Sequence, residues 1–146
     1  MKKVKKLNNL KIGIFGCGEV GTAVAKIAHF FGMKVFIHSY MQNPELENFC
    51  EFVSMDKLLA EADIVSLHLL YTGDNYHLIG EKEFDKMKDG VYFINTARGE
   101  LVDIKALYDN LKKGKILGAA LDVLECEFLS THPGELTNII NNSASH

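Results

Sequence analysis

The chain has 146 residues, of which 47% are hydrophobic and 24% charged, with a net charge of −3. That length predicts one domain, able to bury about 70% of its unfolded surface. The charge excludes a basic nucleic-acid surface, no apolar run reaches the ~20 residues of a membrane helix, and the basic Met1-Lys2-Lys3-Val4-Lys5-Lys6 lacks the apolar stretch of a signal peptide.

Residues 1–10 are expected to form a solvated leader. Short apolar runs then alternate with helical spacing. Residues 11–15 predict a strand and 19–32 a helix, closed by Gly32. Val35-Phe36-Ile37-His38 predicts the second strand, 41–50 a loop or short helix, and Phe52-Val53 a brief third strand. A helix over 55–62 has Ser54 as its N-cap. Ile64-Val65-Ser66-Leu67 predicts the fourth strand, and Tyr71-Thr72-Gly73-Asp74-Asn75 a turn. A short helix over 81–88 precedes the strand Val91-Tyr92-Phe93-Ile94. Asp103 caps a helix carrying Ala106, Leu107 and Leu111 and closed by Gly114. Ile116 to Leu121 is the sixth strand, with Gly118, Ala119 and Ala120 small enough for close packing. Beyond Phe128 the pattern dissolves into polar residues.

Strands alternating with helices imply a Rossmann-like, doubly wound parallel sheet in three αβα layers. Within that pattern, Gly16-Cys17-Gly18-Glu19-Val20-Gly21 sits between a strand and a helix, the context that makes G-x-G-x-x-G a dinucleotide-binding signature. Gly16 permits the tight turn, Gly18 lets backbone approach a pyrophosphate, and Gly21 lets helix and strand pack closely. The helix N-terminus offers free N–H groups to phosphate. The domain boundaries follow as a leader over 1–10, a dinucleotide-binding domain over 11–128 and an irregular tail over 129–146.

In such sheets ligands bind beyond the carboxyl ends of the strands. The polar residues at those ends are Gly16 to Glu19, Ser39, His68, Asn95-Thr96-Ala97-Arg98-Gly99 and Asp122, all on one edge. Arg98 offers a planar guanidinium for a carboxylate or a carbonyl oxygen; the alternative is a surface arginine paired with an acid. Asp122 suits a carboxamide, and equally a helix cap or turn. Glu127 could orient a histidine and raise its pKa if one stands beside it. His29 reads as a helix-face residue and His68 as packed or hydrogen-bonded. No H-x-x-x-H or H-E-x-x-H pair occurs, so no metal site is expected. Cys17, Cys50 and Cys126 form no C-x-x-C and are odd in number, which favours a reducing, cytoplasmic setting. Cys17 reads as a small residue of the turn.

With these segments in place the chain resembles the D-isomer-specific 2-hydroxyacid dehydrogenases from about Leu10 to Glu127. The resemblance is carried by Lys11-Ile12-Gly13-Ile14-Phe15-Gly16-Cys17-Gly18-Glu19-Val20-Gly21, by the segment from Met87 to Asp103 containing Asn95-Thr96-Ala97-Arg98-Gly99, and by Gly114 to Val123. It implies the NAD(P)-binding domain of an oxidoreductase acting on the CH-OH group of D-2-hydroxy acids, with hydride passing between a nicotinamide and a 2-oxo acid. It implies further that Arg98, within the turn Thr96-Ala97-Arg98, holds the substrate carboxylate and carbonyl. Asp122 meets the nicotinamide carboxamide, Glu127 supports the catalytic histidine, and the amides of Glu19 and Val20 meet pyrophosphate. A homodimer is implied in the same way.

The departures from the family pattern are specific. Ser39 replaces the acid that grips the adenosine ribose. NAD is the expected cofactor, and without that acid NADP stays open, although no arginine stands beside Ser39. Glu19 stands where neutral or basic residues are frequent, and Phe128 replaces a proline. Ser143 falls near the place of the catalytic histidine, and neither His132 nor His146 substitutes for it. The domain alone is therefore expected to bind dinucleotide and to turn over weakly or not at all. The alternative is a non-catalytic module that binds NAD(H) or a partner; S-adenosylmethionine as the ligand is disfavoured by the Arg98 and Asp122 segments.

Overall fold

In a computed structural model of the chain, residues 5–124 are described. The elements run β1 (Lys11–Phe15), α1 (Glu19–Phe30), β2 (Lys34–His38), α2 (Pro44–Glu47), β3 (Glu51–Phe52), α3 (Met55–Glu61), β4 (Ile64–Leu67), α4 (Glu81–Lys86), β5 (Val91–Asn95), α5 (Ile104–Lys112) and β6 (Ile116–Leu121). The strands form a six-stranded sheet in the order β3-β2-β1-β4-β5-β6. Every pairing is parallel. This is the doubly wound Rossmann order, which reverses between β1 and β4.

Period-two alternation along the strands divides the core. Ile12 and Ile14 of β1, with Val35 and Ile37 of β2, pack on one face against Ala25 and Ala28 of α1 and Leu46 of α2. Phe15, Phe36, Val65 and Phe93 face the other way, into a larger cluster with Leu58 and Leu59 of α3, Phe84 of α4 and Leu107 of α5. The α1 crossover and the α4 and α5 crossovers thus lie on opposite faces, as right-handed connections require when the strand order turns back.

Each predicted element forms, with ends shifted by one or two residues. The third strand is Glu51–Phe52, and Val53 still donates its N–H to the Ile37 carbonyl at 2.9 Å. Ser54 caps α3, accepting from the Lys57 amide at 3.2 Å. The small residues of β6 are used unevenly. Gly118 lies against the Tyr92 ring, where a Cβ would sit 3.4 Å from Cδ1, whereas Ala120 is exposed among the described residues. In the stretch read as a leader, Leu7–Asn9 form a 3-10 turn, and the Leu10 carbonyl accepts from the Lys34 amide at 3.3 Å.

At the amino edge of the sheet, Asp63 joins three elements. Its Oδ2 accepts from the Lys11 amide at 2.9 Å and its Oδ1 from Lys88 Nζ at 2.8 Å. Partial burial raises its pKa, but those two bonds outweigh that and hold the carboxyl below its ordinary range. On the opposite side of the fold, Asp103 caps α5, its Oδ1 accepting from the amides of Lys105 at 3.1 Å and Ala106 at 3.2 Å. Asp103→Ala strips both acceptors from the first turn. It is expected to lower stability by about 1 kcal/mol, read as a shift of the urea midpoint without a change in slope.

Candidate functional site

Gly16 follows β1 with φ at +94°, and its amide donates to the His38 carbonyl of the neighbouring strand at 2.9 Å. A Cβ there would stand 2.5 Å from the His68 carbonyl oxygen, so backbone of β1 and β4 meets without side chains between. Gly21, one turn into α1, presses on this corner; a Cβ on it would overlap the Gly16 carbonyl oxygen. Gly18 is the opposite case. It is the N-cap of α1, no side chain caps it, and no atom lies within 4 Å of the position a Cβ would take. The first intrahelical bond runs from the Thr22 amide to the Gly18 carbonyl, so the amides of Glu19, Val20 and Gly21 have no carbonyl one turn behind them. An open backbone face at the positive end of a helix fits a pyrophosphate.

The turn is braced from the side. Thr22 Oγ1 donates to the Cys17 carbonyl at 3.0 Å and accepts from Asn43 Nδ2 at 3.0 Å. Cys17 does more than fill space. Its buried thiol donates towards Ser39 Oγ at 3.3 Å and the Met41 carbonyl at 3.2 Å, tying the glycine turn to the loop after β2. Ser39 Oγ also accepts from the Met41 amide at 3.1 Å. Two open clefts flank this junction. One, of about 540 Å³, is bounded by Gly18, Glu19, Thr22, Lys26 and Glu45; the other, of about 460 Å³, by Ser39, Glu47, Cys50 and Glu51. Met41 lines both.

Farther along the same edge, β5 ends in Asn95, only 1% exposed. Its carboxamide shapes the next turn: Oδ1 accepts from the Ala97 amide at 3.0 Å, and Nδ2 donates to the Arg98 carbonyl at 2.9 Å. Thr96 and Arg98 are exposed on that turn, and Arg98 Nη1 donates back to the Ala97 carbonyl at 2.8 Å. Asp122, also exposed, follows β6, and its amide donates to the Asn95 carbonyl at 3.1 Å. Ser39, the glycine turn, His68, Arg98 and Asp122 therefore sit on one rim, after β2, β1, β4, β5 and β6 in spatial order. Two strand spacings, about 10 Å, separate the glycine elbow from the turn bearing Arg98.

His68 is half-buried, with Nε2 and Ser66 Oγ 2.8 Å apart. Burial lowers its pKa from the ordinary 6.5 and keeps the ring neutral near pH 7. Two features of this rim escape a reading of the motifs. Asn95 is the organiser of the arginine turn; its Asx-type bonds are the signal that an Asn at a strand end offers. The second is a clamp under that turn, where His77 and Ile79 donate their amides to the carbonyls of Glu100 and Leu101 at 2.8 and 3.0 Å. Nothing in one sequence pairs those loops. Glu127, with Glu125, Cys126, Phe128, His132, Ser143 and His146, lies outside the described residues. Among the described residues no group of three or more His, Cys, Asp or Glu side chains could hold a metal, and no helix is long and apolar enough to cross a membrane.

Residues 1–143 match the family described as D-isomer specific 2-hydroxyacid dehydrogenase, NAD binding domain. The chain is 43% identical over 136 residues to an aromatic 2-oxoacid reductase of Clostridium sporogenes, spanning 92% of this chain and 41% of that protein. It is 45% identical over 123 residues to a D-lactate dehydrogenase of Treponema pallidum, with 84% and 37% covered. Among solved structures, a D-lactate dehydrogenase of Lactobacillus jensenii with NAD+ superposes with a TM-score of 0.82 at 41% identity, covering 84% of this chain and 37% of that one. One from Aquifex aeolicus with NAD and lactic acid gives 0.84 at 40% identity, covering 92% and 41%. The chain thus spans about two fifths of the length of the first of these curated relatives, 41%.

Gly21→Ala forces a Cβ into the Gly16 carbonyl and must move α1 off the turn. It is expected to cost about 2 kcal/mol or more in urea denaturation, since overpacking a tight contact costs 1–3 kcal/mol. The His68 ring binds its proton less readily in the folded chain than in the unfolded one. Its contribution to stability is therefore full above about pH 6.5 and is lost as pH falls through the lowered folded value. Urea midpoints measured from pH 7.5 to 5 should fall for the parent chain and fall less steeply for His68→Gln.

Proposed function

Because this chain belongs to the D-isomer-specific 2-hydroxyacid dehydrogenase family and comprises its NAD-binding domain, we propose that its rim serves reduction of a 2-oxo acid to a D-2-hydroxy acid. The observation that carries this reading is the placement of the open Gly18 face and the Arg98 turn on one edge of the sheet, two strands apart. The amides of Glu19 and Val20 hold the pyrophosphate, with Gly16, Gly18 and Gly21 keeping the approach clear. Ser39 faces the adenosine ribose. Thr96 and Ala97 shape the wall that leads to the nicotinamide, and Asp122 accepts from its carboxamide. The bound nicotinamide supplies or accepts the hydride.

Arg98 holds the substrate carboxylate and, as hydride arrives, draws the charge that develops on the carbonyl oxygen. Among the described residues its exposed guanidinium is held by one bond, to the Ala97 carbonyl, so turning towards an anion costs little. His68, held neutral by burial, places no second cation beside that anion. Glu127 keeps a histidine, supplied from elsewhere in the active assembly, in its protonated, proton-giving state. Domain limits at residues 11–128, a cytoplasmic setting and a homodimer belong to this proposal. Within it the isolated chain binds dinucleotide and turns over weakly or not at all.

The test joins binding to activity. NADH should bind the purified chain by nicotinamide fluorescence or calorimetry, and S-adenosylmethionine should not. Arg98→Ala should leave the NADH dissociation constant within about twofold. In the presence of a substrate-domain polypeptide it should lower 2-oxo acid reduction by about 10²-fold or more, the loss expected for a charge-stabilising donor. A calorimetric blank with both nicotinamide coenzymes overturns the proposal. Binding without activity under every condition assigns the chain to a non-catalytic module instead.

A further inference from the structure

The outer side of α1 carries apolar residues that nothing among the described residues covers. Gly21, Ala25 and Ala28 take the inner side. At about 3.6 residues per turn, Val20, Ile27 and Phe31 fall within about 40° of one another around the helix, and Ala23 and Phe30 widen the stripe. Val20 is 62% exposed, Ile27 58%, Phe30 86% and Phe31 53%. The Phe30 and Phe31 rings meet edge to face at 5.9 Å, yet both stay open to solvent. These side chains leave on the order of 500 Å² of apolar surface in one patch, a size that marks contact surfaces. The two ends of the stripe carry opposite charge. Glu19 opens the helix and is exposed. At the other end, Asn8 Cβ stands 3.0 Å from the place of a Gly32 Cβ, so the Leu7–Asn9 turn abuts the end of α1. Leu7 is exposed there, and so is Lys6, the N-cap of that turn. Neither Glu19 nor Lys6 enters an ion pair among the described residues. The helix is about 18 Å long, so the two cannot meet within one chain.

We propose that a second copy of this chain packs its α1 antiparallel on this stripe, and that Lys6 of the partner subunit neutralises Glu19 beside the glycine turn. The inference rests on the homodimer and the dinucleotide site proposed above and names the face that joins them. A two-fold axis across the middle of α1 sets Phe31 of one copy over Val20 of the other, with Ala23 and Ile27 beside the axis. The same axis brings Glu19 to the Gly32 end of the partner helix, where Lys6 stands. A parallel arrangement would set Glu19 on Glu19 and Lys6 on Lys6, so charge decides the direction. Opposed helix dipoles favour it as well. A standard interface takes about 800 Å² from each partner. The stripe supplies the apolar centre of such an area, and Leu7, Lys6, Glu19 and Lys26 supply its rim. Glu19 adjoins the open Gly18 face, so its charge opposes a pyrophosphate there, and a partner lysine removes that opposition. Association and dinucleotide binding then strengthen each other by the same factor.

Sedimentation velocity of the purified chain without coenzyme should show a monomer–dimer equilibrium. Ile27→Lys and Phe30→Lys change residues already exposed in the single chain. They should keep the circular dichroism of the parent and raise the dimer dissociation constant about tenfold or more. Glu19→Lys and Lys6→Glu should each weaken association about threefold, and the double variant should return it to within about twofold of the parent. NADH, titrated by nicotinamide fluorescence at chain concentrations below and above the dimer dissociation constant, should bind the dimer about threefold tighter. A chain that is monomeric at every concentration overturns the proposal. A dimer indifferent to Ile27→Lys and Phe30→Lys overturns this face and leaves the homodimer standing. Additive losses in the Glu19 and Lys6 variants overturn the antiparallel contact, and an NADH affinity independent of chain concentration overturns the coupling. A chain that dimerises through this face and binds neither NADH nor NADPH overturns the cofactor reading, and the coupling with it, while the face remains.

Discussion

The structure turns on one backbone crossing, where the end of β1, the start of α1 and the end of β4 meet with no side chain between them. The Gly16 carbonyl occupies the space a Gly21 Cβ would need, and the His68 carbonyl occupies the space a Gly16 Cβ would need. Interiors packed as densely as proteins have no slack for a methyl group at such a point. The crossing fixes the angle at which α1 leaves the sheet. It thereby aims the unpaired amides of the first turn over the rim, at the place where the strand order reverses. Ser39, Met41 and Asn43 are then drawn in around the turn through Cys17 and Thr22.

The two ends of the rim are built by opposite means. At the glycine turn, shape comes from missing side chains, and the ligand-facing surface is backbone. At the β5 end, shape comes from a buried side chain. Asn95 satisfies one amide and one carbonyl of the turn that carries Arg98, and its own carbonyl receives the Asp122 amide from β6. A buried carboxamide with both halves engaged is costly to disturb, because each abandoned partner becomes an unsatisfied polar group. The guanidinium it presents is exposed and lightly held. A rigid backbone cradle thus adjoins an adjustable cation on the same rim.

Electrostatics between those ends are quiet. His68 occupies the rim between the glycine turn and the Asn95 turn, and burial beside Ser66 keeps it uncharged near neutrality. Arg98 consequently faces no neighbouring cation on β4. On the β2 side Lys26 pairs with Glu45, and Lys34 and Lys57 both pair with Glu51, so the charges there largely cancel.

Much of this was legible in the sequence because the signals are local. Apolar runs of four or five residues mark the strands, Ser54 and Asp103 announce their helices by capping chemistry, and Gly16 and Gly21 declare a strand–turn–helix corner that only glycine fits. Parallel connectivity then forces Arg98 and Asp122 onto the same edge as the glycine turn, whatever their distance along the chain. Other features had no local signal, because each depends on atoms brought together from remote segments. Cys17 reads as a small turn residue until folding sets Ser39 and Met41 beside its thiol. Asn95 reads as the polar end of a strand until the turn closes over its carboxamide. The loop at His77 gives no hint that Glu100 and Leu101 will receive its amides. By itself the sequence determined which segments become strands and helices and which edge carries the chemistry, since steric and hydrogen-bonding rules act within a few residues. Only the tertiary structure decided which thiol, carboxamide and carboxylates surround the site, since those contacts exist once the sheet has set its strands side by side.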